Sequence, residues 1–299
     1  QIASQSNHVT LSLEKLNTIN FYKESNLLYV QSGAILSNIK KLAFNNGRLF
    51  PLSLASEGSC QIGGNLATNA GGLNVIKYGN VRDLCLGLEA VLPCGQIVST
   101  MKPLKKNNMG FDLKNLLIGS EGTLGIITST ILKTFPIPKD PVSIFLSINN
   151  LADVLFVFEK ISREFSERIL AFELIKMTGI DFIEETGFTI KNPFNKKTNW
   201  KVLIEIDVNI GPINLGEIIE NTFYDLLLEN KIVEVFFATN INQRNEFWKI
   251  RELIPAANRK KGSICSNDIS VPIEKIPEFI KKLDNSIYLF SKDVLINCF

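Results

Sequence analysis

The residues best suited to chemistry lie in one run, Gly58-Ser59-Cys60-Gln61-Ile62-Gly63-Gly64-Asn65-Leu66-Ala67-Thr68-Asn69-Ala70-Gly71-Gly72. Two glycine pairs, Gly63-Gly64 and Gly71-Gly72, bracket small residues, hydroxyls and amides. Such a loop can turn backbone N–H groups toward an anion with no β-carbon in the way. Asn and Thr side chains can add hydrogen bonds. No Lys or Arg lies inside the run, so binding would act through backbone dipoles rather than countercharge. The run fits neither G-x-x-x-x-G-K-[ST] nor G-x-G-x-x-G, which argues against a triphosphate loop and leaves a nicotinamide site unsupported. On composition alone, a surface loop with tight turns explains it as well. A second cluster, Gly119-Ser120-Glu121-Gly122-Thr123-Leu124-Gly125-Ile126-Ile127-Thr128, sets three glycines ahead of a β-branched strand and weighs toward a ligand.

Other chemistries are excluded by what is scarce. The one histidine, His8, cannot supply a zinc site or a Ser-His hydrolase. The five cysteines, Cys60, Cys85, Cys94, Cys265 and Cys298, are odd in number and never spaced C-x-x-C, so they read as reduced thiols in a reducing compartment. A net charge of +2 from 32 basic and 30 acidic residues argues against a general nucleic-acid binder. No apolar run reaches the ~18–20 residues of a membrane span.

The elements that must position the glycine clusters can be read along the chain. His8–Leu13 and Leu27–Gln31 read as strands. Ser37–Asn46 reads as a helix with Ile35, Ile39, Leu42 and Ala43 on one face and Gly47 just past its end. Twelve of the 19 glycines fall between Gly58 and Gly125, a window with few helical signals. Within it Leu86–Leu92 and Gly95–Val98 read as a hairpin. Phe135–Pro141, rich in proline, reads as a linker and a domain boundary. Beyond it, strands are expected at Val142–Ile148, Ile169–Leu174, Trp200–Val208 and Val233–Ala238. Helices are expected at Leu151–Glu164, Lys176–Glu185 and Leu215–Asn230. This order implies an antiparallel sheet with helices on one face, a ferredoxin-like pattern. Asn245–Arg259 reads as a helix interrupted at Pro255, and Pro277–Lys282 begins another. Asp293–Phe299 reads as a strand that stops without a polar tail, so the chain is expected to be a fragment at both ends.

Gly58–Gly72, Tyr78-Gly79, Gly110-Phe111-Asp112-Leu113 and Gly119–Ile127 together resemble the vanillyl-alcohol-oxidase, or PCMH-type, FAD flavoproteins. The nearest likeness is to the group of D-2-hydroxyglutarate dehydrogenases, D-lactate dehydrogenases and glycolate oxidase flavin subunits. The resemblance implies an α+β fold. Residues 1–136 would be the later part of a PCMH-type FAD-binding domain, and 137–299 a truncated, ferredoxin-like substrate cap. It implies FAD held by Gly58, Ser59, Gly63, Gly64, Asn65, Thr68, Asn69, Gly71 and Gly72, with Glu121, Gly122, Gly125 and Ile126 on the flavin or adenine side. In the cap, Phe247-Trp248-Lys249-Ile250-Arg251-Glu252 is similar to the family's arginine helix, which makes Arg251 the residue for a substrate carboxylate. Asp268-Ile269-Ser270-Val271-Pro272 matches a family strand.

Three departures bear on substrate. Ser266 stands where relatives carry a lysine, so a monocarboxylic acid is expected rather than a dicarboxylic one. Ala256 and Ala257 stand where relatives often carry Glu and Gln, and both were expected at the pocket mouth. The pyrophosphate loop ahead of Gln1 and a histidine-rich strand after Phe299 are missing, so the catalytic base and any metal ligands are expected outside this chain. The resemblance implies oxidation of a D-2-hydroxy acid by hydride transfer to flavin, with electrons passed to an electron-transfer protein, cytochrome or quinone. It implies no nucleic-acid partner, allows a homodimer, and places the protein in the cytoplasm, with mitochondrial or membrane-peripheral placement open. The rival readings are a flavin-binding subunit without its own substrate site, a non-catalytic binding protein on the same fold, and a cell-wall reductase needing a nicotinamide donor.

Overall fold

Ile39 and Ala43, one helical turn apart with Leu36 on the same side, bury the inner face of the first helix, and Gly47 follows it at φ 71°. The structure is a computed structural model that describes residues 9–104, 106–139, 141–208 and 214–299. The chain divides into two units, Gln1–Ile137 and Pro138–Phe299.

The first unit runs β1 (Ile19–Tyr22), β2 (Leu27–Gln31), α1 (Leu36–Asn45), β3 (Arg48–Leu49), α2 (Ile62–Ala67), α3 (Val75–Tyr78), α4 (Val81–Leu84), β4 (Cys85–Val91), β5 (Ile97–Ser99), α5 (Leu113–Leu117), β6 (Ile126–Lys133) and β7 (Phe135–Pro136). Its main sheet is antiparallel in the order β1-β2-β6-β4-β5, and β3 pairs with β7. Leu28 and Val30 of β2, Leu88 and Ala90 of β4 and Leu132 of β6 pack against α1, Ile62 and Leu66 of α2, and α4. The glycine-rich window therefore does hold helices. Their four to six residues are too short to show a helical period in the sequence. Residues 9–13 are outside any strand, contrary to expectation, and His8 lies outside the described residues.

The second unit runs β8 (Val142–Ile148), α6 (Leu151–Phe165), β9 (Ile169–Lys176), α7 (Met177–Glu185), β10 (Trp200–Ile206), α8 (Leu215–Leu228), β11 (Glu234–Phe237), α9 (Ile241–Lys261) and α10 (Ile276–Phe290). The sheet order β11-β8-β10-β9 with every pair antiparallel is the ferredoxin-like arrangement. Helices cover both faces rather than one. Val154, Val157, Ile161 and Phe165 of α6, with Ile219 and Phe223 of α8, cover Ile144, Leu146, Val202 and Ile204. On the other face α7 and α9 cover Phe145, Ile175 and Leu203 through Ile180, Ile183, Phe247, Ile250, Ile254 and Ala257. This is why β10 is buried at every position.

α9 runs straight through Pro255 instead of stopping there. Proline removes the N–H that would bond the carbonyl of Arg251, four residues back. The buried apolar stripe on both sides of it holds the helix together. Residues 263–272, including the expected strand at Asp268–Pro272, have no regular structure and are almost wholly exposed. Asp293–Phe299 is likewise irregular, though the Cys298 carbonyl accepts the Lys176 N–H at 2.9 Å.

Candidate functional site

In the first unit the two glycine clusters form one piece. The N–H of Gly119 donates to the carbonyl of Leu66 at 3.1 Å, and that of Glu121 to Ala67 at 2.8 Å. Arg82, from α4, fastens the second cluster from below. Its guanidinium donates to the carbonyls of Asn115 at 2.6 Å and Ile118 at 2.7 Å, while its backbone N–H donates to Asn69 Oδ1 at 3.2 Å.

The glycines divide into two kinds by what a β-carbon would meet. At Gly63 it would lie 2.6 Å from Ser32 Cβ, at Gly72 2.2 Å from the Ser53 carbonyl oxygen, and at Gly125 2.9 Å from the Val91 carbonyl oxygen. Those glycines serve close packing of the protein on itself. At Gly58, Gly64 and Gly122 nothing lies within 4 Å, so packing does not explain them. Gly122 also sits at φ 79°, where a side chain is strained.

The other residues implied in cofactor binding are placed unevenly. Thr68 Oγ1 donates to the Gly64 carbonyl at 3.0 Å, Ser59 Oγ to the Ser56 carbonyl at 3.3 Å, and Asn69 Oδ1 is taken by Arg82. Those atoms shape the loop. Among the described residues the buried Oδ1 of Asn65 has no hydrogen-bond partner, a cost the fold bears unless a ligand donor reaches it. Gly71, Glu121 and Ile126 are exposed. Open glycine positions beside an unsatisfied amide oxygen fit the FAD that the sequence implies.

In the second unit, strand alternation puts Ser143, Glu205 and Glu173 on the sheet face beneath α9. α9 answers with Arg244, Trp248 and Arg251, spaced one helical turn apart. Glu205, nearly buried, accepts from Arg244 Nε at 2.6 Å and Nη2 at 3.0 Å, from Trp248 Nε1 at 2.6 Å and from Ser143 Oγ at 2.7 Å. Arg251 is held differently: its Nε donates to Glu173 Oε2 at 2.8 Å, and its Cζ lies 4.7 Å from the centre of the Phe299 ring. Beside it, burial pushes the Cys298 thiol up, with Lys176 pulling the other way.

Ser266 is exposed in the irregular run and has no hydrogen bond to Arg251 among the described residues. Ala257 is fully buried against α7 and the sheet, so it is a packing residue and not a pocket mouth. Glu173 and Glu205 were missed by sequence reading. Their one signal was an acidic residue inside a largely apolar strand, which alternation alone does not distinguish from a solvent-facing position. Among the described residues no three His, Cys, Asp or Glu side chains group to hold a metal ion. No helix among them is long and apolar enough to cross a membrane.

Residues 1–101 match the FAD binding domain family, and residues 137–290 match the C-terminal domain of FAD linked oxidases. The mitochondrial D-2-hydroxyglutarate dehydrogenase of Arabidopsis thaliana is 34% identical over 89% of this chain and 47% of its own length. That of Rattus norvegicus is 32% identical over 91% of the chain and 50% of its own length. The D-2-hydroxyglutarate–pyruvate transhydrogenase of Saccharomyces cerevisiae is 31% identical over 90% and 54%. The chain thus spans about half the length of these relatives. In fold it is similar to an alkyldihydroxyacetonephosphate synthase, with TM-score 0.66 at 18% identity over 92% of this chain and 55% of that one.

Proposed function

The chain belongs to the FAD-linked oxidase family, whose cofactor is FAD, and from that premise we propose that the whole protein oxidises a D-2-hydroxy acid to the 2-oxo acid. When bound, FAD supplies a two-electron acceptor for the carbinol C–H bond. Residues 1–136 hold it through the backbone around Gly58, Gly64 and Gly122 and the amide of Asn65. Residues 137–299 hold the substrate. Electrons leave to a separate carrier. The relatives named mitochondrial add that compartment to the cytoplasm as a setting for five free thiols.

The observation that carries this reading is the contrast between two arginines on one helix. Arg244 is consumed by Glu205 through both Nε and Nη2, whereas Arg251 meets Glu173 through Nε. Among the described residues the Nη groups of Arg251 have no hydrogen-bond partner. A guanidinium can hold a carboxylate there through two parallel bonds and orient the neighbouring C–H.

Arg251→Lys removes the planar fork but keeps the charge. In the full-length flavin-loaded protein it should lower kcat/KM by roughly 30- to 1,000-fold, on the order of 2–4 kcal/mol. Flavin content should not change. The assay is dye reduction with a panel of D-2-hydroxy acids, in which monocarboxylic acids should be preferred because no lysine stands at Ser266. Wild-type kcat/KM in Arg251→Lys would show that Arg251 does not hold the substrate carboxylate. A dicarboxylic preference would show that another basic residue replaces the lysine.

A further inference from the structure

Arg251 does not reach its position unaided. β9 alternation sets Glu173 under α9, opposite Leu203 of β10. Its carboxylate accepts from Arg251 Nε at 2.8 Å, with the two side chains 18% and 15% exposed. Largely withdrawn from water, the guanidinium needs an oxygen acceptor at Nε, and without one it would turn toward whatever oxygen it could find. Glu173 fixes the Nε end, and the Phe299 ring lies against the face. The fork's two Nη groups are then directed away from Glu173. Were Glu173 to bind as Glu205 binds Arg244, through Nε and Nη2 together, half of that recognition edge would be spent.

We propose that Glu173 is a positioning residue for the substrate carboxylate: by holding Arg251 through Nε alone, it aims the Nη edge and sets substrate affinity without touching the substrate. This rests on the reading of Arg251 given above. In the middle of β9, Glu173 has no other hydrogen-bond or ion-pair partner among the described residues.

Two substitutions separate positioning from mere charge or packing. Glu173→Asp keeps the charge but draws the acceptor back by one methylene. Glu173→Gln keeps the length and an oxygen acceptor but drops the charge. In the full-length flavin-loaded protein, Glu173→Asp should raise KM about tenfold, with kcat within about twofold. The substrate is D-lactate or D-2-hydroxyglutarate, whichever is turned over faster. The Kd of the matching 2-oxo acid, pyruvate or 2-oxoglutarate, should rise in parallel by calorimetry. Glu173→Gln should restore both to within about twofold of wild type.

Wild-type KM and Kd in Glu173→Asp would overturn the proposal, even with a lowered melting temperature, since Glu173 would then serve stability alone. Equal damage in Glu173→Gln would overturn it too, because charge and not the Nε bond would matter. Arg251→Lys measured alongside tells the two readings apart. If it leaves KM and kcat unchanged, the substrate reading fails and takes this one with it. If it is damaged while Glu173→Asp is not, only the positioning role fails.

Discussion

Lys201 carries an ammonium group to a place that water does not reach. It is wholly buried in β10, with Nζ donating to Thr198 Oγ1 at 2.5 Å and lying 4.4 Å from the centre of the Phe194 ring. Burial pulls its pKa down from 10.5 to about 8, and the nearby Glu234 and Asp181 only partly offset this. A displacement of that size costs the folded state on the order of 3 kcal/mol at pH 7. The unfolded chain keeps its proton to a higher pH than the folded one. Between about 8 and 10.5 the unfolded state binds more protons, so stability rises with pH across that window. Lys201→Met should therefore stabilise the protein at pH 7, by about 1–2 kcal/mol once Thr198 has lost its partner. The gain should vanish by about pH 10.5. Urea midpoints at pH 7, 9 and 10.5 check this, and a Met variant that is weaker at every pH would refute it. Neither Lys201 nor Glu173 was legible beforehand. Strand alternation puts both on one face, but only the helices on that face make the face an interior.

Among the elements, α2 is the most informative because two adjacent glycines in it do opposite work. Gly63 abuts Ser32, so even Gly63→Ala should disturb the fold itself. Gly64 faces open space, so Gly64→Val should fold normally and lose flavin, its side chain standing where the cofactor approaches. Visible flavin absorbance and apo-protein melting curves report the two effects separately. Full FAD occupancy in Gly64→Val would remove the helix from the site. Long elements such as α1, α6, β8 and β10 were legible from their apolar spacing, and so was the hairpin of β4 and β5. The short helices α2 to α5 were not, because one turn shows no period. The passage of α9 through Pro255 was not legible either. Local preference argues for a stop, and the packing of Ile250, Ile254 and Ala257 outweighs it.

At the scale of the whole molecule, both units follow the same rule: an antiparallel sheet supplies a frame and a helix carries the chemistry across it. The sheet order of the second unit was within reach of sequence reading, since seven alternating elements admit few connections. The covering of its second face was not, because the polar pins lie far from their partners in sequence. Glu205 and Arg244 are 39 residues apart, and Glu173 and Arg251 are 78 apart. The knot at Glu205 has a consequence in time. One carboxylate ties a helix to two strands, β8 and β10: freeing β10 breaks all four bonds, and freeing α9 breaks three of them. Amide hydrogens in α9 and in β10 should then exchange with deuterium at one common, slow rate, as a single cooperative unit. Those of residues 263–272, just past the helix, should exchange within seconds. The helix that presents Arg251 would thus be as long-lived as the core of its sheet, beside a segment that is renewed continually.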